Sequence, residues 1–187
     1  MLPFQFGQLI GIALFEIRHP QPLILTLKMD PDSFGRFENL RQAHFPPHRN
    51  FIPAHLTLFH HLPGHDPGGI AADLAEVLRA RAPVRLHATA LRFLGRGVAY
   101  AFDAPDLTDL RNELASRWAT SLTPQDRQPF RPHVTVQNKA DPDQARQLQQ
   151  RLEAGFQPFD VTGEGLLLWR YLGGPWEPLG DFPFGGL

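Results

Sequence analysis

The chain has 187 residues, of which 42% are hydrophobic and 20% charged, with a formal net charge of −1. These values are typical of a globular protein with one compact domain, or with two small lobes that share a core. A protein that coats long nucleic acid is usually more basic, whereas a short RNA end or a nucleotide needs only one or two arginines. The absence of cysteine excludes disulfides, thiolate catalysis and thiolate metal sites.

The first 20 residues are predicted to be a poorly specified lead-in segment. Their apolar run, residues 9–15, is too short to span a membrane and has no preceding positive charge. No small-residue cleavage site follows it. We therefore expect neither a signal peptide nor a membrane anchor, and a cytoplasmic location.

Hydrophobic periodicity and turn residues predict alternating strands and helices from residue 23 onward. Asp-Pro dipeptides are typical helix starts, because Asp caps the helix and Pro fits its first turn. The predicted elements of the first half are a strand at 23–29, a helix from 31 to about 45, a strand at 54–60, a helix near 70–81 and a strand at 84–94. Those of the second half are a strand at 98–102, a helix at 105–122, a strand at 131–138, a helix from 142 to about 154, and a strand or hairpin at 159–171 before a Gly- and Pro-rich tail.

Both halves therefore have the same order of elements, which is a sign of an internal structural repeat. We predict a single bilobal α+β domain over residues 1–187, with lobes at about 22–94 and 97–171. Two mostly antiparallel sheets with flanking helices would be related by a pseudo-twofold axis and would line a central cleft.

One short motif, His-x-Thr-hydrophobic, occurs in the middle strand of each predicted half. The copies are His55-Leu56-Thr57-Leu58 and His133-Val134-Thr135-Val136, each preceded by a Phe and a Pro. Side chains two residues apart lie on the same face of a strand, so each copy presents an imidazole next to a hydroxyl. Two such pairs across a cleft supply a proton acceptor, a proton donor and two hydroxyl donors, which suits phosphoester cleavage without a metal.

A third match, His87-Ala88-Thr89-Ala90, differs from the other two. It lacks the upstream Phe and Pro, and it ends in Ala instead of a larger aliphatic residue. Its position also breaks the repeat. We interpret His87 as a residue on the polar face of a strand, without a catalytic role.

The two flanked motifs resemble those of the 2H phosphoesterase superfamily, in particular its 2′-5′ RNA ligase and 2′,3′-cyclic phosphodiesterase branch. The resemblance covers about residues 23–171. It implies a metal-independent phosphodiesterase without a cofactor, acting on 2′,3′-cyclic phosphate termini of RNA or on cyclic nucleotides, with reversible 2′-5′ ligation as a further activity. It assigns catalysis to His55, Thr57, His133 and Thr135, and no obligate protein partner is expected.

Four more residues are candidates for substrate binding. Arg131 lies two residues before His133, on the same strand face, where a guanidinium group is able to contact phosphate. His61 shares the face of His55 if the first motif strand stays regular. Phe59 and Tyr171, together with Trp169, are candidates for stacking on a base.

Three other interpretations remain open. A metal site would use the local cluster of His55, His60, His61 and His65, but no suitable helical spacing or carboxylate accompanies it. A non-catalytic RNA- or nucleotide-binding module would retain the fold and leave both His-Thr pairs unexplained. An RNase-like enzyme that forms cyclic phosphates, instead of opening them, would use two histidines equally well.

Overall fold

The computed structural model of the protein describes residues 20–185. In this part of the chain there are seven β-strands, four α-helices and one 3₁₀ helix, Pro47–Arg49. The strands are β1 (Leu23–Met29), β2 (Thr57–Leu62), β3 (Val84–Phe93), β4 (Val98–Asp103), β5 (His133–Gln137), β6 (Phe159–Tyr171) and β7 (Trp176–Pro183). The helices are α1 (Pro31–His44), α2 (Pro67–Leu78), α3 (Pro105–Arg117) and α4 (Pro142–Ala154). None of these helices is long and apolar enough to cross a membrane.

Proline opens each of the four described helices, and in three of them an aspartate is the cap. The carboxylates of Asp30, Asp66 and Asp141 accept hydrogen bonds from backbone amides of the first turn. Each carboxylate satisfies an amide that has no partner within the helix. The other carboxylate oxygen of Asp30 accepts the amide of Thr162 at 2.8 Å, which ties the start of α1 to β6.

All seven strands belong to one antiparallel sheet with the order β2-β1-β6-β3-β4-β5, and β7 pairs with β6. This arrangement confirms the α+β class and the antiparallel pairing. The strands form one continuous sheet rather than two, because β3 and β6 pair with each other. The helices cover the sheet with the apolar faces that their periodicity predicts, including Phe37, Leu74, Leu107 and Leu148, all almost fully buried.

The strands of each sequence half do not stay together in the sheet. β6 pairs with β1 along residues 163–170 and with β3 along residues 159–163, so the last strand of each half lies among the strands of the other. Gly163 is the crossing point, since it lies opposite both Met29 and Val84. Periodicity identifies strands but not their partners, which is why the predicted lobes at 22–94 and 97–171 do not correspond to separate sets of strands.

The two outer strands of the sheet meet at a single backbone bridge between Leu56 and Val134. Leu56 immediately precedes β2, and Val134 lies in β5. Both side chains are fully buried in the core. The bridge connects β2 and β5, at opposite ends of the strand order, so the sheet curves back on itself at the place where the two motifs lie.

Several boundaries differ from the sequence prediction. The first motif strand begins at Thr57, α2 covers Pro67–Leu78, and α3 ends at Arg117. The tail was predicted to lack a strand because of its Gly and Pro content, but Trp176–Pro183 forms β7. Proline is tolerated there because β7 lies at an edge and needs few of its backbone donors. The predicted lead-in, apart from Pro20, lies outside the described residues.

Replacing Gly163 by Ala should destabilise the fold by about 1–3 kcal/mol, as overpacking of a core usually does. A methyl group there would lie 2.7 Å from both Leu27 Cδ1 and Val84 Cγ2, closer than van der Waals contact allows, and both of these side chains are buried in the core. The measurement is the free energy of unfolding in urea. Gly155→Ala is the control, because nothing lies within 4 Å of a methyl group at that position. Equal stabilities of the two variants would contradict the assigned packing.

Candidate active site

The Leu56–Val134 bridge sets the register of the two motifs. The pairing is antiparallel, so a step forward on one strand corresponds to a step back on the other. Thr57 therefore lies opposite His133, and His55 lies opposite Thr135. The structure has two adjoining pockets, one lined by Thr57 and His133 and the other by His55 and Thr135, in agreement with this register.

The four polar side chains lie on the face opposite the core. Leu56 and Val134 point inward and are fully buried, whereas His55, Thr57, His133 and Thr135 are all partly exposed. Directly opposed residues in such a pair have Cβ atoms about 4.5–5.5 Å apart, and diagonal neighbours about 7–8 Å apart. The two histidines form a diagonal pair, and each lines the pocket on its own side of the bridge.

Each motif histidine is held in the same way by a backbone carbonyl two residues upstream. His55 Nδ1 lies 2.7 Å from the Pro53 carbonyl oxygen, and His133 Nδ1 lies 2.8 Å from that of Arg131. A carbonyl oxygen only accepts, so Nδ1 carries the hydrogen and donates it in both rings. Nε2 is then the atom that takes or gives a proton at the site.

Burial lowers the pKa of both motif histidines. The pKa of His55 falls to about 4, chiefly through desolvation, although the Pro53 carbonyl acts in the opposite direction. The nearby positive groups Arg41, His60 and His133 lower it further. The pKa of His133 is lowered by desolvation and then by Arg92, again against the effect of its carbonyl partner. Both rings are therefore neutral at pH 7 in the free protein.

Arg41 is a buried guanidinium that connects the two motif segments. It is only 3% exposed, and it donates to Asn50 Oδ1 at 2.8 Å and to the carbonyls of Ile52 and Thr135, each at 3.1 Å. The guanidinium also lies over the ring of Phe45. Desolvation lowers the pKa of Arg41, but an arginine remains charged at neutral pH. Arg41 thus braces both motifs and places a positive charge close to His55.

The pocket beside Thr57 and His133, called here the basic pocket, has a volume of about 470 Å³. It is open to solvent and lies within the size range of small-molecule sites, about 300–1,000 Å³. Asp126 is its one described carboxylate, and its basic residues are His60, Arg92, Arg111 and Arg131.

The pocket beside His55 and Thr135, called here the aromatic pocket, has a volume of about 410 Å³. Phe51, 65% exposed, lines it together with Tyr171 and Trp176. The Trp176 ring lies 4.8 Å from the His55 ring, centroid to centroid. Three cationic residues also line this pocket: Arg41, Arg49 and Lys139.

The structure places two of the four predicted substrate contacts beside the motifs. Arg131 lines the basic pocket and Tyr171 lines the aromatic pocket. Trp169 lies near the site as well, since it lines a third depression together with His55 and Trp176. Its indole nitrogen donates to Thr26 Oγ1 at 2.9 Å, which fixes the ring.

Of the other two predicted contacts, Phe59 is wrong because its side chain is fully buried, and His61 is exposed but lines neither of the two pockets. The register of β2 against β1 shifts between the pairs Thr57–Thr26 and Phe59–Leu25, so Leu58 and Phe59 are both buried. Phe59 is a core residue with 0% exposure. His60, rather than His61, joins Thr57 in the basic pocket. Strict alternation along the strand does not foresee such a bulge.

The histidine of the third His-x-Thr sequence lies outside both pockets. His87 is exposed, pairs with Asp160 at 2.7 Å and lines neither of the two pockets. Within residues 20–185, no three His, Cys, Asp or Glu side chains are grouped as metal ligands.

Several residues of the site were missed by the sequence interpretation: Arg41, Phe51, His60, Arg92, Arg111 and Trp176. Arg92 and Arg111 come from β3 and α3, and only the tertiary fold brings them to the motif strands. Phe51 carried a signal, because it precedes the first motif just as Phe130 precedes the second. Trp176 lies in the strand that the Gly- and Pro-rich composition concealed.

A family model described as the 2′-5′ RNA ligase superfamily matches residues 29–175, which include both motifs and every strand from β2 to β6. The chain belongs to the 2′-5′ RNA ligase superfamily. This membership confirms the resemblance on which the sequence interpretation relied. A comparison with curated proteins gave no match.

Solved structures show a similar fold. Protein TT0787 of Thermus thermophilus is 19% identical with a TM-score of 0.58, covering 88% of this chain and 98% of its own. Escherichia coli LigT complexed with 3′-AMP is also 19% identical, with a TM-score of 0.57 and the same coverage. LigT complexed with phosphate is 20% identical with a TM-score of 0.56, covering 89% of this chain and 98% of its own. At these identities the likeness is one of fold.

Titration of the imidazole resonances by NMR should give a pKa near 4 for His55 and one below 6.5 for His133. Each ring is then protonated only below its own pKa. In the unfolded chain His55 is protonated below about pH 6.5, whereas in the folded protein it is protonated only below about pH 4. Between these two pH values the unfolded state binds more protons than the folded state, so the free energy of unfolding decreases as the pH falls. His55→Asn and His133→Asn assign the signals. A His55 pKa at or above 6.5 would show that its ring is not desolvated.

Proposed function

We propose that the protein is a metal-independent phosphodiesterase that opens 2′,3′-cyclic phosphates at RNA termini or in nucleotides. Reversible 2′-5′ RNA ligation, in which an RNA 5′ hydroxyl takes the place of water, is a further activity of the same site. The main support is the antiparallel register, which makes the two Nδ1-anchored imidazoles diagonal neighbours on one partly exposed face. The proposal assigns the reacting phosphoryl group to the place between them. Membership of the superfamily supports an enzyme of this general kind.

In the proposed hydrolysis, a water oxygen forms a bond to phosphorus and the bond from phosphorus to one ribose oxygen breaks. His55 Nε2 accepts the water proton, and His133 Nε2 donates a proton to the departing ribose oxygen. His55 is assigned as the base because its pKa of about 4 keeps the ring unprotonated at pH 7. Binding of the anionic phosphate favours protonation of the nearby His133, which suits the acid.

The two threonines take the role of hydrogen-bond donors to the non-bridging phosphate oxygens. Thr57 lies opposite His133 and Thr135 opposite His55, so each hydroxyl is next to the ring of the other motif. Donors that are already in place when charge shifts onto these oxygens lower the barrier. The proposed reaction routes every proton through the chain's own side chains and needs no metal for this step.

The aromatic pocket is assigned to the nucleoside base. Phe51, Tyr171 and Trp176 offer ring faces beside His55, and stacking on aromatic rings is a common way to hold an unpaired base. The LigT structures with 3′-AMP and with phosphate are consistent with a nucleotide at a site of this fold.

Alanine at either His55 or His133 should lower kcat for a 2′,3′-cyclic nucleotide by about 10²- to 10⁴-fold, the range for loss of general acid or base catalysis. Alanine at Thr57 or Thr135 should cost less, about 10- to 100-fold, because one hydrogen bond to a charged oxygen is lost. The measurement is release of nucleoside monophosphate in the presence of a chelator.

His87→Ala is the matched control, since this histidine belongs to the third His-x-Thr sequence but lines neither pocket. It should leave turnover unchanged. Near-full activity of His55→Ala would refute the catalytic assignment. A complete lack of turnover by the unmodified protein would favour a non-catalytic RNA- or nucleotide-binding module, and formation of cyclic phosphates from short RNA would favour RNase-like cleavage.

A further inference from the structure

The basic pocket contains more positive charge than one reacting phosphoryl group requires. Beyond Thr57 and His133 it extends past His60, Arg92 and Arg131 to the turns that precede β5. Arg92 and Arg131 are exposed, and neither forms an ion pair with an acidic residue in the described part of the chain. Guanidinium groups without acidic partners, in an open pocket, are suited to binding a phosphate through two parallel hydrogen bonds.

The carboxylate of Asp126 accepts hydrogen bonds from the backbone of β2. It is 2% exposed and accepts the amides of His60 and His61 at 2.8 and 2.9 Å. Burial acts to raise the pKa of Asp126, but these bonds and the His60 side chain outweigh it and lower the pKa, so the group stays ionised. Arg111, 7% exposed, donates to the Asp126 backbone carbonyl, and its buried Nε has no described hydrogen-bond partner.

The Asp126 carboxylate also lies beside the His60 ring. His60 Nδ1 lies 3.5 Å from Asp126 Oδ1, and a carboxylate at that nitrogen favours the form in which Nδ1 carries the hydrogen. The His60 side chain is 46% exposed, so its other nitrogen is available to a ligand in the pocket. A third histidine is thus held beside the motif pair by a buried acid, and the proposed chemistry does not use it.

The order of substituents around the ribose ring indicates which group reaches this pocket. A 2′,3′-cyclic phosphate spans C2′ and C3′, the base is attached next to C2′ at C1′, and the 5′ carbon is attached next to C3′ at C4′. With the cyclic phosphate between the motifs, the base and the 5′ group leave the ribose at opposite ends. The site has an aromatic pocket on the His55 side and a basic pocket on the His133 side.

We propose that the basic pocket binds the 5′-phosphoryl group of the nucleoside whose 2′,3′-cyclic phosphate reacts, with His60 and Arg131 as its ligands. This inference rests on the proposed function and adds a substrate preference to it. The 5′ group has two possible sources: a phosphomonoester on a mononucleotide, or the adjoining phosphodiester of an RNA chain.

Three substrates test the inference: a 2′,3′-cyclic mononucleotide with a free 5′ hydroxyl, the same compound with a 5′-phosphate, and a dinucleotide that ends in the cyclic phosphate. The kcat/KM of at least one phosphorylated substrate should exceed that of the first by about tenfold or more, as expected for charge-assisted contacts to phosphate. Preference for the monoester identifies mononucleotides as substrates, and preference for the dinucleotide identifies RNA ends.

The preference is measured as a ratio: kcat/KM for the preferred phosphorylated substrate divided by kcat/KM for the substrate with a free 5′ hydroxyl. Because both values come from one preparation, this ratio is independent of the fraction of folded protein. His60→Gln should bring this ratio close to one, and Arg131→Gln, at an exposed position, should lower it. His61→Gln is the matched control, because its backbone contacts the same carboxylate while its side chain lies outside the pocket; it should keep the wild-type ratio.

The outcomes separate this inference from the proposed function. Equal kcat/KM values of the wild type for all three substrates overturn the 5′-phosphate subsite alone. A wild-type preference that survives both His60→Gln and Arg131→Gln also overturns it. No turnover of any of the three substrates overturns the subsite and the proposed function together.

Discussion

One antiparallel contact, between Leu56 and Val134, determines the geometry of the whole site. These residues lie 78 positions apart in the chain, yet their backbones pair and their side chains are buried together. Because strand side chains alternate, burying this apolar pair turns the flanking His and Thr residues outward onto a common face. A shift of one residue in this pairing would bury the polar residues and expose the apolar ones, so the hydrophobic core itself maintains the register of the motifs.

The same core gives the two imidazoles their chemical state. Partial burial lowers both pKa values, and the carbonyls of Pro53 and Arg131 hold the Nδ1 hydrogens. The protein thereby presents two neutral rings with free Nε2 atoms in a strongly basic surrounding. In the proposed mechanism the anionic substrate supplies the charge that lets one ring hold a proton, so the acid and base forms are both present only when substrate is bound.

Much of the fold could be predicted from the sequence. Asp-Pro starts placed two of the helices, α1 and α4, whereas Asp66-Pro67 was assigned to a loop although it begins α2. The spacing of apolar residues identified the faces that are buried, such as that of Leu107, Leu110 and Leu114. Strand partners were not predictable, because periodicity carries no information on pairing. β3, the last strand of the first half, pairs with β4 and β6 of the second half, and β6 pairs with β1 and β3 of the first half. β7 was missed since its Gly and Pro residues suit an edge strand as well as a loop.

For the site, the motif residues were identified through alternation on a strand, and alternation is also the reason for the errors. The bulge at Leu58 sends Phe59 into the core and brings His60 to the pocket, which a regular strand would not do. Arg41 could not be found by any local pattern. Its contacts with Ile52 and Thr135 exist only after α1 packs across both motif segments.

The most direct measurement is a crystal structure of the protein soaked with inorganic phosphate. One phosphate should lie between the motifs, with Nε2 of His55 and Nε2 of His133 each about 2.7–3.2 Å from its oxygens and with both threonine hydroxyls in contact. A phosphate bound to one motif only, or separate anions at the two histidines, would contradict the account.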